Sequence, residues 1–83
     1  MKYFVYILQS EKDSSFYIGY TSDLDQRLQK HNSGSTRYSS RKRPWKLVYA
    51  EDFLDKSEAI RRERFLKKQR NRSFYQRLID AKN

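Results

Sequence analysis

Four side chains within the first 31 residues have the types and the spacing to act on a phosphodiester. Tyr6 and Tyr17 lie in two short aromatic segments, and Arg27 and His31 follow them, four residues apart. Phenol and imidazole groups can exchange protons, and a guanidinium forms charge-assisted hydrogen bonds with phosphate. These groups could hold and cut a phosphodiester if the fold brings them together.

A carboxylate in the second half of the chain is the fifth candidate. Glu63 is surrounded by Arg61, Arg62, Arg64 and Lys67. Since Mg²⁺ is bound through one or two carboxylates, several waters and substrate phosphates, Glu63 is a candidate ligand for Mg²⁺ or Mn²⁺. The alternative is an ion pair with Lys67, one helical turn away, worth roughly 0.3–0.5 kcal/mol.

The two aromatic segments predict strands at residues 3–9 and 16–20, joined as an antiparallel hairpin. A turn centred near residues 12–13 would place Tyr6 opposite Gly19. Tyr17 would then lie diagonally beside Tyr6 on the same face, about 7–8 Å away. Because glycine has no side chain, we expect a substrate backbone to approach the sheet at Gly19.

A helix is predicted directly after the hairpin. It begins after the capping residue Asp23 and ends at residues 32–34, which contain Asn and Gly. Arg27 and His31 share one face of this helix, about 5–6 Å apart at Cβ. An apolar stripe that would dock the helix on the sheet consists of Leu24 and Leu28.

The remaining chain predicts one more strand and two more helices. A polar loop covers residues 33–44, and a third strand runs from Trp45 to Phe53 with Trp45, Leu47 and Tyr49 on one face. A second helix begins near Lys56 and runs to about Arg70, and Ser73 caps a last helix at residues 74–81. The predicted fold class is α/β (α+β), a single domain over residues 1–83. Its small three-stranded, mainly antiparallel sheet is flanked by helices in the order β-β-α-β-α-α.

Composition favours a polyanionic partner. Nineteen basic and ten acidic residues give a net charge of +9, and most of the excess lies in residues 56–83, which hold ten basic and three acidic residues. A basic, aromatic-rich small domain is typical of nucleic-acid binding. The chain has no cysteine, which excludes disulfides and thiolate metal sites. No apolar stretch is long enough for a membrane span, so we expect a cytoplasmic protein without membrane contact. As a separate expectation, the protein is a monomer or a weak dimer.

The best candidates for phosphate contacts are basic residues in the polar loop and on the second helix. Such contacts set affinity without reading sequence. The alternative is that these charged runs only face water. The candidates are Arg41, Lys42, Arg43, Arg61, Arg62 and Lys67.

Five ordered segments of the chain resemble the GIY-YIG nuclease domain, especially the small stand-alone bacterial members related to the nuclease domain of the repair protein UvrC. The resemblance covers residues 3–80, and its first motif has Phe4 in place of the leading glycine. The segments are Phe4-Val5-Tyr6, Tyr17-Ile18-Gly19, residues 27–34, residues 43–49 and residues 59–67.

The resemblance implies a one-metal endonuclease that hydrolyses phosphodiester bonds in DNA, with a role in DNA repair or processing. It implies that Glu63 binds the metal and that Tyr6 is the general base for the attacking water. Tyr17 and Arg27 would position the water and the scissile phosphate, and His31 would assist proton transfer. Since a free tyrosine has a pKa near 10, we expect Arg27, the basic loop and the metal to favour the Tyr6 phenolate.

Two other functions remain open from the sequence. One is a nucleic-acid-binding module that does not cleave, and the other is an accessory subunit directed to its target by a protein partner. A histidine near a helix C-terminus is also often merely an exposed residue whose charged form is favoured there. The sequence does not distinguish DNA from RNA, or duplex from branched, damaged or single-stranded substrates.

Overall fold

The computed structural model describes residues 1–34 and 37–82, and it shows a three-stranded antiparallel sheet with helices against both faces. The predicted fold class is confirmed, with the addition of one four-residue helix inside the predicted polar loop. No helix in the described part of the chain is long and apolar enough to cross a membrane. The elements are β1 (Tyr3–Ser10), β2 (Phe16–Thr21), α1 (Leu24–Asn32), α2 (Arg37–Ser40), β3 (Trp45–Phe53), α3 (Lys56–Gln69) and α4 (Arg72–Lys82).

The sheet has the order β2-β1-β3, with the first strand in the centre. The predicted hairpin register is confirmed, since Tyr6 pairs with Gly19 and Leu8 pairs with Tyr17. Tyr6 and Tyr17 therefore lie diagonally on one face of the sheet. Because β2 is an edge strand, no further strand pairs with its outer side, and side chains from the helices can lie there.

The two faces of the sheet carry separate apolar clusters. The larger cluster joins β1, β2 and β3 to α3 and α4, and its buried members are Val5, Ile7, Ile18, Tyr49, Ala59, Leu66, Tyr75 and Ile79. The smaller cluster lies under α1 and consists of Tyr6, Leu8 and Trp45, with Tyr17, Leu24 and Leu28 packed against it. The predicted docking of α1 through Leu24 and Leu28 is confirmed.

Helix α1 is held at both ends by side chains. The Asp23 carboxylate accepts a hydrogen bond from the Gln26 backbone N–H at 3.0 Å, as the capping prediction required. At the other end, the Asn32 side-chain amide donates to the Trp45 carbonyl and its oxygen accepts from the Trp45 N–H, at 3.0 and 2.6 Å. This double hydrogen bond ties the end of α1 to β3 and sets the position of the neighbouring His31.

Helices α3 and α4 meet at a tight connection. Arg70 has a left-handed backbone (φ 44°) after α3, and the buried Tyr75 hydroxyl donates to the Leu66 carbonyl at 2.6 Å. The same hydroxyl accepts from the Arg70 N–H, so it satisfies the end of α3. The predicted cap of the last helix was wrong by two residues. Asn71, not Ser73, accepts from the Phe74 N–H at 3.2 Å, because the helix begins earlier, at Arg72.

The predicted face pattern of β3 was wrong at Tyr49. On β1, Ile7 pairs with Tyr49 whereas Leu8 pairs with Leu47, so Val48 is an extra residue at a β-bulge. The bulge turns Tyr49 to the larger cluster while Trp45 remains in the smaller one. Leu47 is exposed rather than in the core.

An ion pair between β3 and α3 fastens the second helix to the sheet. The Arg62 guanidinium donates to both oxygens of Glu51, with Nε···Oε1 at 3.0 Å and Nη2···Oε2 at 2.9 Å. The Tyr49 hydroxyl also donates to Glu51. Burial alone would raise the pKa of Glu51, but these hydrogen bonds hold it below its usual range. Arg62 therefore has a structural partner inside the fold.

We predict that Arg62→Ala lowers the free energy of unfolding by about 1–3 kcal/mol, since it leaves the half-buried Glu51 without its bidentate partner. In a domain of this size, each kcal/mol shifts Tm by roughly 4–8 °C. The matched control is Arg61→Ala, an exposed neighbour with the same charge. Thermal melts of the two variants test the assignment, and equal Tm values for both would contradict it.

Candidate active site

A cavity of about 410 Å³ lies against edge strand β2, between α1 and α3. It is lined by four of the five predicted site residues, namely Tyr6, Tyr17, Arg27 and Glu63. The hairpin supplies the phenols, α1 the guanidinium and α3 the carboxylate. The fifth predicted residue, His31, lies behind the two phenols. The other lining residues are Tyr3, Gly19, Tyr20, Thr21, Ser22, Gln26 and Lys56.

Gly19 makes room for the ring of Tyr6. A Cβ at position 19 would lie 2.5 Å from the Tyr6 hydroxyl oxygen and 2.8 Å from Cζ, distances at which a side chain cannot fit. We expected a substrate backbone to approach here; the Tyr6 ring occupies the space of a Cβ while Gly19 still lines the cavity, so that approach stays a prediction. The phenol is thereby held at one edge of the cavity while only 2% of Tyr6 is exposed.

His31 is buried against three aromatic rings. Its Nε2 lies 3.4 Å from the Tyr6 hydroxyl oxygen, within hydrogen-bond reach. Its ring packs edge-on against Tyr17, with centroids 4.5 Å apart, and against Trp45 at 6.4 Å. Only 2% of His31 is exposed, and its Nδ1 has no hydrogen-bond partner among residues 1–34 and 37–82. The interpretation of His31 as an exposed helix-end residue is therefore wrong.

Burial keeps both members of the Tyr6–His31 pair uncharged in the protein alone. Burial raises the pKa of Tyr6 far above its usual value of 10, and Tyr17 and Glu63 raise it further, whereas Arg27 lowers it. We expected cations to favour the phenolate, but the loss of hydration outweighs Arg27. Burial also lowers the pKa of His31, with smaller contributions from Arg27 and Lys30. A neutral phenol thus faces a neutral imidazole.

The charged groups of the site stand at its open side. Arg27 is half-buried, lines the cavity, and makes no ion pair with any residue that the structure describes. Lys56, one residue into α3, lines the same cavity. Two cations therefore border this space against a single lining carboxylate, Glu63. The cavity suits an anionic ligand.

Glu63 is largely buried, with 14% of its side chain exposed, and its Oε2 lies 3.4 Å from the Lys67 ammonium. The ion pair weighed as an alternative is thus present. Within the described residues, no cluster of three or more acidic or histidine side chains could hold a metal. A lone carboxylate beside an anion-binding cavity still fits Mg²⁺, which keeps several waters and takes substrate phosphates as further ligands.

The candidate phosphate contacts fall into two groups. Three of them are engaged within the fold, since Arg62 pairs with Glu51, Lys67 with Glu63, and Lys42 with Asp13 at 3.3 Å. The other three, Arg41, Arg43 and Arg61, are exposed. The Arg43 guanidinium lies beside Gly34, just past the end of α1. The polar loop and α3 thus each keep exposed arginines.

Sequence reasoning missed six of the residues that line the cavity, among them Tyr3, Tyr20 and Lys56. A signal for Lys56 was available, because it precedes Glu63 by seven residues and therefore lies on the same face of α3. Tyr3 and Tyr20 alternate with the smaller-cluster residues along their strands, which predicted only core packing. Tyr20 reaches the cavity because β2 is the sheet edge, and Tyr3 reaches it from the start of β1, beyond the residues that pair with β2.

Comparison with known proteins places the chain among small bacterial proteins. The GIY-YIG catalytic domain family matches residues 2–77. A UPF0213 protein from Streptococcus pneumoniae is 43% identical over 70 residues, which cover 83% of this chain and 70% of that protein. A UPF0213 protein from Staphylococcus haemolyticus is 48% identical over 63 residues, covering 75% and 76%.

A solved structure shows the same fold. The solution NMR structure of a UPF0213 protein from Bacillus halodurans superposes with a TM-score of 0.60 and is 38% identical in sequence. The match covers 99% of this chain and 86% of that one. The three-stranded sheet and its flanking helices are therefore common to this chain and a solved relative.

We predict that Gly19→Ala destabilises the protein by roughly 1–3 kcal/mol, because the added Cβ overlaps the Tyr6 phenol. The cost should be smaller in a Tyr6→Phe background, where the oxygen at 2.5 Å is absent although Cζ remains. Urea denaturation of the wild type, both single variants and the double variant measures this coupling. Equal costs in the two backgrounds would show that the Tyr6 hydroxyl group does not contribute to the clash.

We predict that the free energy of unfolding falls as the pH drops below 6.5, with a slope of up to about 1.4 kcal/mol per pH unit. The lowered pKa of His31 means that the unfolded chain takes up a proton which the folded protein resists. His31 is the only histidine, and the shifted carboxylates titrate below 4.5. His31→Gln should therefore flatten the curve between pH 7 and 5. Parallel curves for the two proteins in urea denaturation would contradict the assignment.

Proposed function

This chain belongs to the GIY-YIG catalytic domain family, and on that premise we propose that it is a metal-dependent endonuclease that hydrolyses phosphodiester bonds in DNA. One observation carries the proposal. Tyr6, Tyr17, Arg27 and Glu63 come from four different elements and line one cavity. The two phenols also pack in the smaller cluster, but core packing does not account for an unpaired guanidinium and a carboxylate beside them at one cavity.

Arg27 is the proposed anchor of the scissile phosphate. Its guanidinium can donate two parallel hydrogen bonds to phosphate oxygens, and it makes no ion pair with any described residue. Lys56 adds a second positive charge on the opposite wall. The Tyr17 hydroxyl, at the same opening, holds the attacking water beside the phosphate. Positioning of this kind converts much of the binding free energy into rate.

Tyr6 and His31 are the proposed route for the proton of that water. Since Tyr6 is neutral, its oxygen accepts the water proton while its own proton passes to Nε2 of His31, 3.4 Å away. The phenol ends uncharged and the imidazole ends protonated. The lowered pKa of His31 keeps the imidazole neutral at neutral pH, and in the tautomer with its proton on Nδ1 the Nε2 atom accepts. This relay does not require the free phenolate that the sequence suggested.

Glu63 would hold the Mg²⁺ or Mn²⁺ ion through its single carboxylate. When bound, such an ion supplies Lewis-acid stabilisation of the charge that develops on the phosphate and the leaving oxygen. In the protein alone, the Lys67 ammonium balances the Glu63 carboxylate at 3.4 Å. We therefore expect metal and Lys67 to compete for this carboxylate, and Lys67 to remain close enough to meet a bound phosphate.

DNA is the proposed substrate because the chain is strongly basic and its exposed arginines flank the cavity-forming elements. The net charge of +9 favours a polyanion, and contacts through Arg41, Arg43 and Arg61 would bind the backbone without reading sequence. A role in DNA repair or processing, in the cytoplasm and with or without a protein partner, is part of the same proposal.

We predict that Tyr6→Phe and Glu63→Gln each reduce metal-dependent cleavage by at least about 10²-fold, because each removes a group required in the transition state. The assay is nicking of supercoiled, branched and single-stranded DNA with Mg²⁺ or Mn²⁺. The control is Glu58→Gln, an exposed carboxylate on the same helix that does not line the cavity. It should cut as the wild type does.

Binding must be measured beside cleavage, because it separates the two candidate functions. Both variants should bind the same DNA within a few-fold of the wild type in fluorescence anisotropy. Full cutting by Tyr6→Phe would remove Tyr6 from the proton relay. Binding without a metal-dependent product on any DNA would overturn the nuclease proposal in favour of a non-catalytic module, or of an accessory subunit.

A further inference from the structure

A second cavity, of about 420 Å³, lies along the exposed side of α1. It is lined by Gln26, Arg27, Gln29, Lys30 and Ser33. Gln26 and Arg27 also line the candidate active site. The two cavities therefore adjoin, and Arg27 stands at the boundary between them.

The chemistry of this second cavity suits a phosphate backbone. Its side chains are two amides, a hydroxyl, a guanidinium and an ammonium, and none of them is a carboxylate or a large apolar group. Small-molecule sites are mostly apolar, whereas contacts to phosphate and sugar come from Arg, Lys, Ser and Gln. The two acidic residues near the start of the helix, Asp23 and Asp25, do not line it.

The positive charge continues past the end of the helix. Arg27 and Lys30 lie in the cavity wall, and the exposed Arg43 places its guanidinium beside Gly34, the residue after Ser33. The path thus runs from the active site, along α1, to the polar loop. The rise of α1 from Gln26 to Ser33 is about 10 Å, and three nucleotide steps of a duplex strand advance a similar length along the duplex axis, at about 3.4 Å each.

We propose that this α1 groove, lined by Gln26, Arg27, Gln29, Lys30 and Ser33, is a substrate subsite that binds about three nucleotides of the cleaved strand on one side of the scissile phosphate. The inference rests on the proposed nuclease function and adds that the cleaved strand is bound along α1 on one side of the scissile phosphate. Arg27 binds at the junction, Lys30 contacts a phosphate farther along, and Gln29 and Ser33 contact sugar or phosphate oxygens. The enzyme then needs a flank on one side of the cut only.

The experiment compares Lys30→Ala with Lys68→Ala, an exposed lysine of α3 that lines neither cavity. Binding of a fluorescein-labelled 20-base-pair DNA duplex is measured in EDTA by anisotropy from 50 to 300 mM KCl. Lys30→Ala should bind roughly threefold to tenfold more weakly at low salt. Its slope of log K against log[KCl] should be smaller in magnitude by about 0.9, the change expected for one lost phosphate contact.

The cleavage arm uses DNA that the wild type cuts, shortened to leave one, two or four nucleotides on either side of the cut. For the wild type, KM should rise when the flank that binds the α1 groove is shortened. It should stay constant when the opposite flank is shortened. In Lys30→Ala, KM for the long-flank substrate should approach that for the truncated one, whereas Lys68→Ala should keep the wild-type dependence. Thermal melts confirm that both exposed-site variants are folded.

The outcomes separate the subsite from the function. Loss of the flank dependence together with the smaller salt slope, both confined to Lys30→Ala, supports the subsite. If the wild type cuts but the two lysine variants have equal KM values and slopes, the subsite is overturned and the nuclease stands. If the wild type neither binds nor cuts any DNA, the nuclease proposal fails, and the subsite fails with it.

Discussion

The site depends on one packing constraint, the absence of a side chain at Gly19. The antiparallel register places this residue opposite Tyr6, and the phenol lies where a Cβ would otherwise be. Any larger residue would push the ring out of the smaller cluster and away from His31. The same contact seals one wall of the cavity. Backbone pairing thereby positions the hydroxyl group more firmly than a flexible loop would.

Around that constraint, the protein separates proton-transfer groups from charge-binding groups. Tyr6 and His31 are buried, where loss of hydration keeps both neutral. Arg27, Lys56 and Glu63 line the cavity, where they can meet an anion and a cation. The separation has a chemical advantage, because a neutral pair can pass a proton without first placing a charge in a poorly hydrated space. The charged side chains that line the cavity retain their affinity for phosphate and metal.

The sequence predicted the features that depend on residues close together in the chain. The pairing of Tyr6 with Gly19 followed from hairpin length and strand alternation, and α1 followed from its cap and its apolar stripe. It did not predict features set by contacts between distant elements. The bulge that turns Tyr49 to the other face depends on pairing with β1, and the use of Arg62 depends on Glu51, eleven residues away on another element. From charge alone, an arginine that pairs with a carboxylate inside the fold could not be distinguished from one that faces solvent.

The central claim is that the candidate active site brings a divalent ion and the phenols together, and titration of Mn²⁺ followed by NMR tests it most directly. Bound Mn²⁺ should broaden first the resonances of residues that line the cavity, among them Tyr6, Tyr17 and Arg27. Glu63→Gln should remove that effect while Glu58→Gln keeps it. Broadening centred elsewhere, or broadening that survives Glu63→Gln unchanged, would contradict the account.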